Sequence, residues 1–550
     1  MKRSTLSRRA FIGLGLLCAA STRASALLAA AAPVSPSRSL RLPDPLLSEA
    51  YQMAAERNVL SAVNPSVFPG YFAVCAERAG CSFYGNTYPS LDGQHITDAL
   101  LRLGQLDVAK ANWDYVKSFQ RPNGLLPLAI LPAQAGTRVG AAGYEFGVVE
   151  ANGGLYEHWV PGNPLIAAAS TTYIQNADVI FRNSMDSAWL RAQMPSMNLA
   201  AEFLASLTND EGAVRGSGYY VERPVRLGCD GVTQTHAMDA FFRAAALNRV
   251  LGDEPTATRY QRLAERIRTN FIRNFWMKDH FAEYVHPQRG KIDLHGLSDT
   301  DWAAIAFDAV TDQQRAVLWP RLKDETRFYY GGMPTGIATE PDNYQPWEFS
   351  YPDKMDLAAM GRVWYLEAQA RTRMGDAEGL VNSIHRVAEV GRKNGYYWRE
   401  RYNSKGGFGA EKYLEYPANI IRIVQRFLLG VEMGLDGSLT LAPTVPTDFW
   451  QRGFGQRIQW RNRILDYQMS HGKITGTYTG AEQKIFVRLG PTSTAAANPK
   501  LSNLTDPTIH PILHLNGKPS LAHQNAAMIQ FTLPESSPHH PCHFTLQSRT

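Results

Sequence analysis

The rhythm of long and short connections constrains this chain more than any single motif. From about residue 45 to 435, segments with apolar residues at i, i+3, i+4 and i+7 recur at 92–103, 106–119, 164–181, 186–207, 233–251, 255–275, 298–311, 312–323, 353–374, 377–393 and 417–434, with an earlier one at 45–60. Short joints such as Leu103-Gly104-Gln105, Leu251-Gly252-Asp253 and Met374-Gly375-Asp376 carry the glycine expected just past a helix end. The other joints are long: 83–91, 141–163, 209–232, 283–297, 328–352 and 396–416. A short turn folds two helices into an antiparallel hairpin. Six such hairpins in succession predict a mainly α chain, a closed (α/α)6 toroid over 33–435. All six long loops then fall on one face, at the N-termini of the inner helices, which separates a stable scaffold from a functional rim.

After 435 the texture changes. Gly437-Ser438-Leu439-Thr440-Leu441, Ile458–Arg461, Ile464–Met469, Lys473–Tyr478 and Lys484–Leu489 alternate apolar and polar residues between turn signals. This reads as a small antiparallel β-sandwich over 436–535. Residues 536–550, polar and rich in histidine, read as a flexible tail.

The first 32 residues read as a signal peptide. Arg8-Arg9-Ala10-Phe11 precedes a short apolar run and then small residues, including Ala24-Ser25-Ala26. The run is too short to span a membrane, and the paired arginines resemble the twin-arginine type, so the expected location is periplasmic or secreted. In an oxidising compartment Cys75 and Cys81 are close enough in sequence to bridge, whereas Cys229 and Cys542 look unpaired. No cysteine or histidine spacing suggests zinc, and no cofactor or metal is expected. The net charge of +6 is mild for 550 residues and is not gathered into a basic block, so nucleic acid is not the expected partner. Aromatic residues make up 11% of the chain, and many stand beside Gly, Pro, Asp and Glu. Rings placed in loops suit stacking on sugars, or they pin the loops themselves.

The long loops hold the candidate chemistry. Tyr156-Glu157-His158-Trp159 precedes a helix; a carboxyl beside a Trp in a partly dry pocket gains the raised pKa of a general acid, or else Glu157 favours a helix start. Residues 396–416 offer Trp398, Glu400, Glu411, Tyr413 and Glu415 among Arg399, Arg401 and Lys412. A base that must stay ionised benefits from such cations. Pro417 fits the first position of the last inner helix, which places Glu411 and Glu415 in the loop. Asp92 and His95 stand ready to hydrogen-bond a sugar, Asp92 equally as a helix cap. Arg226 and Asp230, Asp293 and His295, and Trp347 and Glu348 occupy three further mouth positions.

At these residues the chain resembles the six-hairpin glycosidases, in particular their α-L-rhamnosidase-type branch. Trp159-Val160-Pro161-Gly162-Asn163 is similar to a Trp-x-Gly-Asp run that follows that branch's catalytic acid. It has one extra residue, has Asn163 for the Asp, and lacks an arginine-acid run before the Trp. Trp398-Arg399-Glu400-Arg401-Tyr402 resembles a Trp-Glu-Arg-Trp run whose Glu is the general base, and the stretch from Leu439 to Pro446 resembles the entry to the C-terminal sandwich. The resemblance implies a carbohydrate substrate and an inverting glycoside hydrolase, with Glu157 as acid and Glu400 as base, Glu411 being the alternative base. Two other readings stay open at this point. One is a polysaccharide lyase using Tyr156, His158, His236 and Arg226; the other is a non-catalytic carbohydrate-binding protein.

Overall fold

The computed structural model describes residues 39–76, 89–131, 149–157, 163–216, 219, 221–222, 224–349, 357–491, 511–525 and 528–548. Twelve helices among them build the toroid. They are α1 (Pro45–Met53), α2 (Leu91–Arg102), α3 (Leu106–Lys117), α4 (Ala168–Ser184), α5 (Ser187–Ser206), α6 (Gly231–Val250), α7 (Glu254–Asn274), α8 (Asp299–Ala306), α9 (Asp312–Leu322), α10 (Gly361–Arg373), α11 (Ala377–Lys393) and α12 (Glu415–Ile423). The even-numbered helices form the inner ring: α2 packs on α4, α4 on α6, α6 on α8, α8 on α10, α10 on α12, and α12 returns to α2. α1 extends through a π-helical turn, Ala54–Val59, and packs on α11 and α12, completing the sixth pair.

Inner and outer helices differ as their positions require. Outer α7 buries Ala257, Tyr260, Ala264, Ile267 and Phe271, one face at helical spacing. Inner α6 is buried nearly all round, from Gly231 through Met238 and on to Asn248. Side chains of the chain's own aspartates and hydroxyls start many helices: Asp186 caps α5, Asp253 caps α7 and Asp376 caps α11, while Ser298 and Thr311 anchor capping boxes on α8 and α9. The short joints turn on glycines at positive φ, +79° at Gly104 and +82° at Gly252.

The long loops carry small strands. β1 (Ala129–Ile130) pairs with β2 (Gly154–Leu155). β3 (Cys229–Asp230), β4 (Tyr284–His286) and β5 (Gly290–Ile292) form a three-stranded sheet, and β6 (Arg401–Asn403) and β7 (Gly406–Phe408) form a hairpin.

The sandwich comprises β8 (Val431–Met433), β9 (Leu439–Leu441), a short helix α13 (Thr447–Arg452), β10 (Phe454–Trp460), β11 (Arg463–Ser470), β12 (Lys473–Thr479), β13 (Gln483–Val487), β14 (Pro511–Leu515), β15 (Lys518–Ser520), β16 (His523–Asn525), β17 (Met528–Leu533) and β18 (Cys542–Ser548). One sheet runs β10-β11-β12-β18-β14-β15 and the other β16-β17-β13-β9-β8. Phe531 of one sheet meets Phe544 of the other, and one continuous hydrophobic core joins both sheets to α1, α11 and α12.

Two expectations are corrected. The C-terminal stretch is not a tail: β18 lies between β12 and β14, with Cys542, Phe544 and Leu546 buried and their neighbours outward, the period-two alternation of a half-buried strand. Glu415 is not in the loop but begins α12, with Pro417 inside the first turn, where the amide N–H has no helical partner to lose. Cys75 is disulfide-bonded, the expected partner Cys81 lies outside the described residues, and Cys229 and Cys542 are free thiols. No helix among the described residues is long and apolar enough to cross a membrane.

Candidate active site

The N-termini of α2, α10 and α12 converge with the loop before α12 on one buried polar cluster. Glu415, 2% exposed, accepts from the guanidinium of Arg362 at 3.0 Å on each oxygen and from the Arg362 backbone N–H. Asp92, in the first turn of α2, lies beside this pair and is hydrogen-bonded by Tyr413. Burial, offset in part by Arg362 and reinforced by Glu415 and Glu400, pushes its carboxyl up to about 7. Its Oδ1 is buried with no hydrogen-bond partner among the described residues.

Glu400 stands just ahead of β6 and is 4% exposed. Its Oε1 pairs with Arg401 Nη1 at 2.8 Å, and its Oε2 accepts the Ala410 N–H at 3.0 Å. Burial raises its pKa; Arg401, the Ala410 N–H and Arg362 pull it down, and the charge of Glu222 pushes it up again. Glu222, 7% exposed, is thus close enough for its charge to act on Glu400. One turn down α2, His95 shares Asn419 Oδ1 with Arg422, at 2.9 Å from its own Nδ1. Burial and the Arg422 charge hold it neutral, and its Nε2 is buried with no hydrogen-bond partner among the described residues.

Glu222 is the residue that the sequence reading passed over. It lies in Glu222-Arg223-Pro224-Val225-Arg226, an acid-arginine run separated by Leu227 from Gly228-Cys229-Asp230-Gly231 and the inner helix α6.

Arg226, Asp230, His295 and Glu348, expected at separate mouth positions, are brought together in a second, wholly buried network. Arg226 bridges Asp230 at 2.8 Å, Glu283 at 2.6 Å and Asp299 at 2.8 Å. His295 links Glu283 at 2.5 Å to Glu348 at 3.1 Å and stacks on Tyr344 at 3.6 Å. Tyr284 donates to Glu348 and Tyr344 to Glu283, both at 2.6 Å. Burial disfavours the charged imidazole, but Glu283 and Glu348 outweigh it and lift His295 to about 9. Asp230 also caps α6 through the Thr233 N–H. These four side chains are engaged within the network, by Glu283, Asp299, Tyr284 and Thr233 as well as by one another, so they act as scaffold rather than as ligand contacts.

The remaining candidates are dispersed. Trp398, 1% exposed, is core: its indole N–H donates to Val387 O at 3.1 Å, and it packs on Gly391 of α11, where an added Cβ would lie 2.1 Å from the ring. Glu411 faces solvent, paired with Arg399 at 2.6 Å, because Lys412 at φ +53° turns the chain so that Tyr413 goes inward. It does not join the Glu400 cluster. Glu157 is exposed, with no hydrogen bond or ion pair to that cluster, and Asp293 is exposed. Tyr156 donates to Phe119 O at 2.6 Å beneath the Arg121 guanidinium. Trp347, half-buried, lies under Arg289 at 4.2 Å. His158 and Trp159 lie outside the described residues.

Comparison with solved structures places the architecture. An α-L-rhamnosidase from Dictyoglumus thermophilum superimposes with a TM-score of 0.60 at 12% identity, over 92% of this chain and 50% of that one. The chain has the fold of these toroid glycosidases. The Streptomyces avermitilis α-L-rhamnosidase complexed with L-rhamnose gives 0.53 at 12% identity, over 92% of this chain and 42% of that one. A GH63 mannosylglycerate hydrolase from Thermus thermophilus gives 0.50 at 12%, over 68% of this chain and 99% of that one. The chain spans about half the length or less of the two rhamnosidases. No protein-family model and no curated sequence matches it.

Proposed function

We propose that the chain is a glycoside hydrolase working by inversion, with Glu400 as general base and Glu222 as general acid. What supports this is that two buried carboxylates, from the loops before α6 and α12, lie near enough for the charge of Glu222 to act on Glu400, at the loop face of a toroid with the glycosidase fold. Glu400 is assigned as the base because, although burial raises its pKa, a guanidinium and a backbone N–H both help to hold its ionised form. Water held by Glu400 attacks the anomeric carbon while Glu222 protonates the leaving oxygen. Asp92 Oδ1 and His95 Nε2, buried and without partners among the described residues, are suited to grip sugar hydroxyls. The N-terminal 32 residues support export. The rhamnosidase neighbours make α-L-rhamnosides the first substrates to try.

The test is a panel of aryl glycosides beginning with the α-L-rhamnoside, against wild type, Glu222→Gln and Glu400→Gln. Each variant should lose about 10²- to 10⁴-fold in kcat while keeping its Tm. NMR of the first product should show the anomer opposite to the substrate's. Retention of configuration, or a variant with more than a tenth of wild-type activity, would reject the assignment.

A further inference from the structure

At the opposite mouth of the toroid, where α2 and α4 end against β8, β9 and β10, lies a cavity of about 510 Å³. This is within the size range of ligand pockets. Four arginines line it: Arg102, Arg182, Arg243 and Arg426. Each uses Nε on a carboxylate, Asp98, Asp178, Asp239 and Glu432 respectively. Each also uses Nη1: Arg102 on Val431 O, Arg182 on Met433 O, Arg243 on Asp178 and Arg426 on Tyr365. No hydrogen bond engages the Nη2 of any of the four among the described residues. Their side chains are between 12% and 27% exposed, so they are partly desolvated yet reachable.

The charge does not balance. Asp98 is shared by Arg102 and Arg422, and Asp178 by Arg182 and Arg243. Five guanidinium groups thus meet four carboxylates. Trp460, which lines the same cavity and is 5% exposed, has an indole N–H that is buried with no hydrogen-bond partner among the described residues. Bonds that only tied the toroid to the sandwich would need neither the spare Nη2 groups nor the cavity.

We propose that this cavity is a second binding site, separate from the carboxylate cluster, for an oxyanion: phosphate, sulfate or the carboxylate of a uronic acid. Guanidinium groups with open N–H donors match such oxygens in geometry as well as in charge.

The test is calorimetric titration of the full-length chain with inorganic phosphate, inorganic sulfate, galacturonate and, as a neutral control, galactose. Saturable binding of at least one of the three anions is expected, weakening as NaCl is raised. Binding of the inorganic ions marks a free-anion site, and binding of galacturonate alone marks a sugar-borne carboxylate. Asn183→Asp, which adds a negative charge to the lining without breaking an existing ion pair, should weaken binding at least roughly tenfold. Thr440→Glu on β9 serves the same purpose if that variant does not fold. Glu400→Gln should bind as wild type does, and Asn183→Asp should hydrolyse substrate as wild type does. No binding of any of the three anions, equal binding of galactose, or binding lost in Glu400→Gln and kept in Asn183→Asp would overturn the proposal.

Discussion

His295→Gln should remove a pH-dependent part of the protein's stability that the buried network creates. In the folded chain the imidazole is 1% exposed, hydrogen-bonded to Glu283 and Glu348 and stacked on Tyr344. Its pKa rises from an ordinary 6.5 to about 9. A group whose folded pKa is raised contributes stability that is fully present below its unfolded pKa and lost as pH climbs through its folded pKa. The window is therefore pH 6.5 to about 9, and a shift of about 2.5 units corresponds to roughly 3 kcal/mol. Urea unfolding, followed at half-unit steps from pH 6 to 10, should show wild type losing about that amount across the window. His295→Gln should be less stable than wild type at pH 6 and should lose much less between 6.5 and 9. An NMR titration of the His295 ring in the native protein gives the same answer directly, with a midpoint near 9. If wild type and variant decline in parallel, or the ring titrates below 7, the imidazole is not held as a cation and the network reasoning fails.

Three further outcomes follow from the same geometry. Arg401→Gln removes a cation that favours ionised Glu400, so the acid limb of the kcat/KM pH profile should move to higher pH; an unmoved or lowered limb would remove Glu400 from the role of base. Trp398→Ala should cost about 3–5 kcal/mol in denaturant unfolding, as a core ring does, while leaving KM of the folded fraction unchanged; a selective rise in KM would make Trp398 a substrate platform after all. Truncation after residue 541 removes β18 from the middle of its sheet and should yield aggregated or protease-sensitive protein, whereas unchanged melting would restore the tail reading.

Much of the scaffold was legible because its signals are local. The apolar face of α7, the Gly104 and Gly252 turns and the Asp253 and Asp376 caps each lie within a few residues of what they control. Alternating joint lengths then implied the ring. The first signal to mislead was polarity: the histidines around β18 masked the alternation of Cys542, Phe544 and Leu546. The second was proline, since Pro417 sits in the first turn of α12 and does not exclude Glu415 from it. Glu400 stood out in its Trp398-Arg399-Glu400-Arg401 setting, and the structure buries it; its role belongs to the proposal above. Glu222 did not stand out beside Arg226 and Asp230 of the same segment.

The sequence by itself determined a run of helical hairpins, a β-rich C-terminal part and a set of acidic loops on one face. Helix periodicity and turn chemistry act over a handful of residues, so they can be read without knowing what packs where. Tertiary structure alone decided which carboxylates meet. Glu283, just ahead of β4, and Asp299, at the start of α8, stand 57 and 73 residues from Arg226 along the chain, and they pair with it only when closure of the ring buries them together. Glu400 and Glu411, eleven positions apart, are separated into a buried and an exposed carboxylate by a tight hairpin and by positive φ at Gly406, Gly409 and Lys412. Burial and the company of other charges set the chemistry of a carboxylate, and both are properties of the packed toroid rather than of the residue.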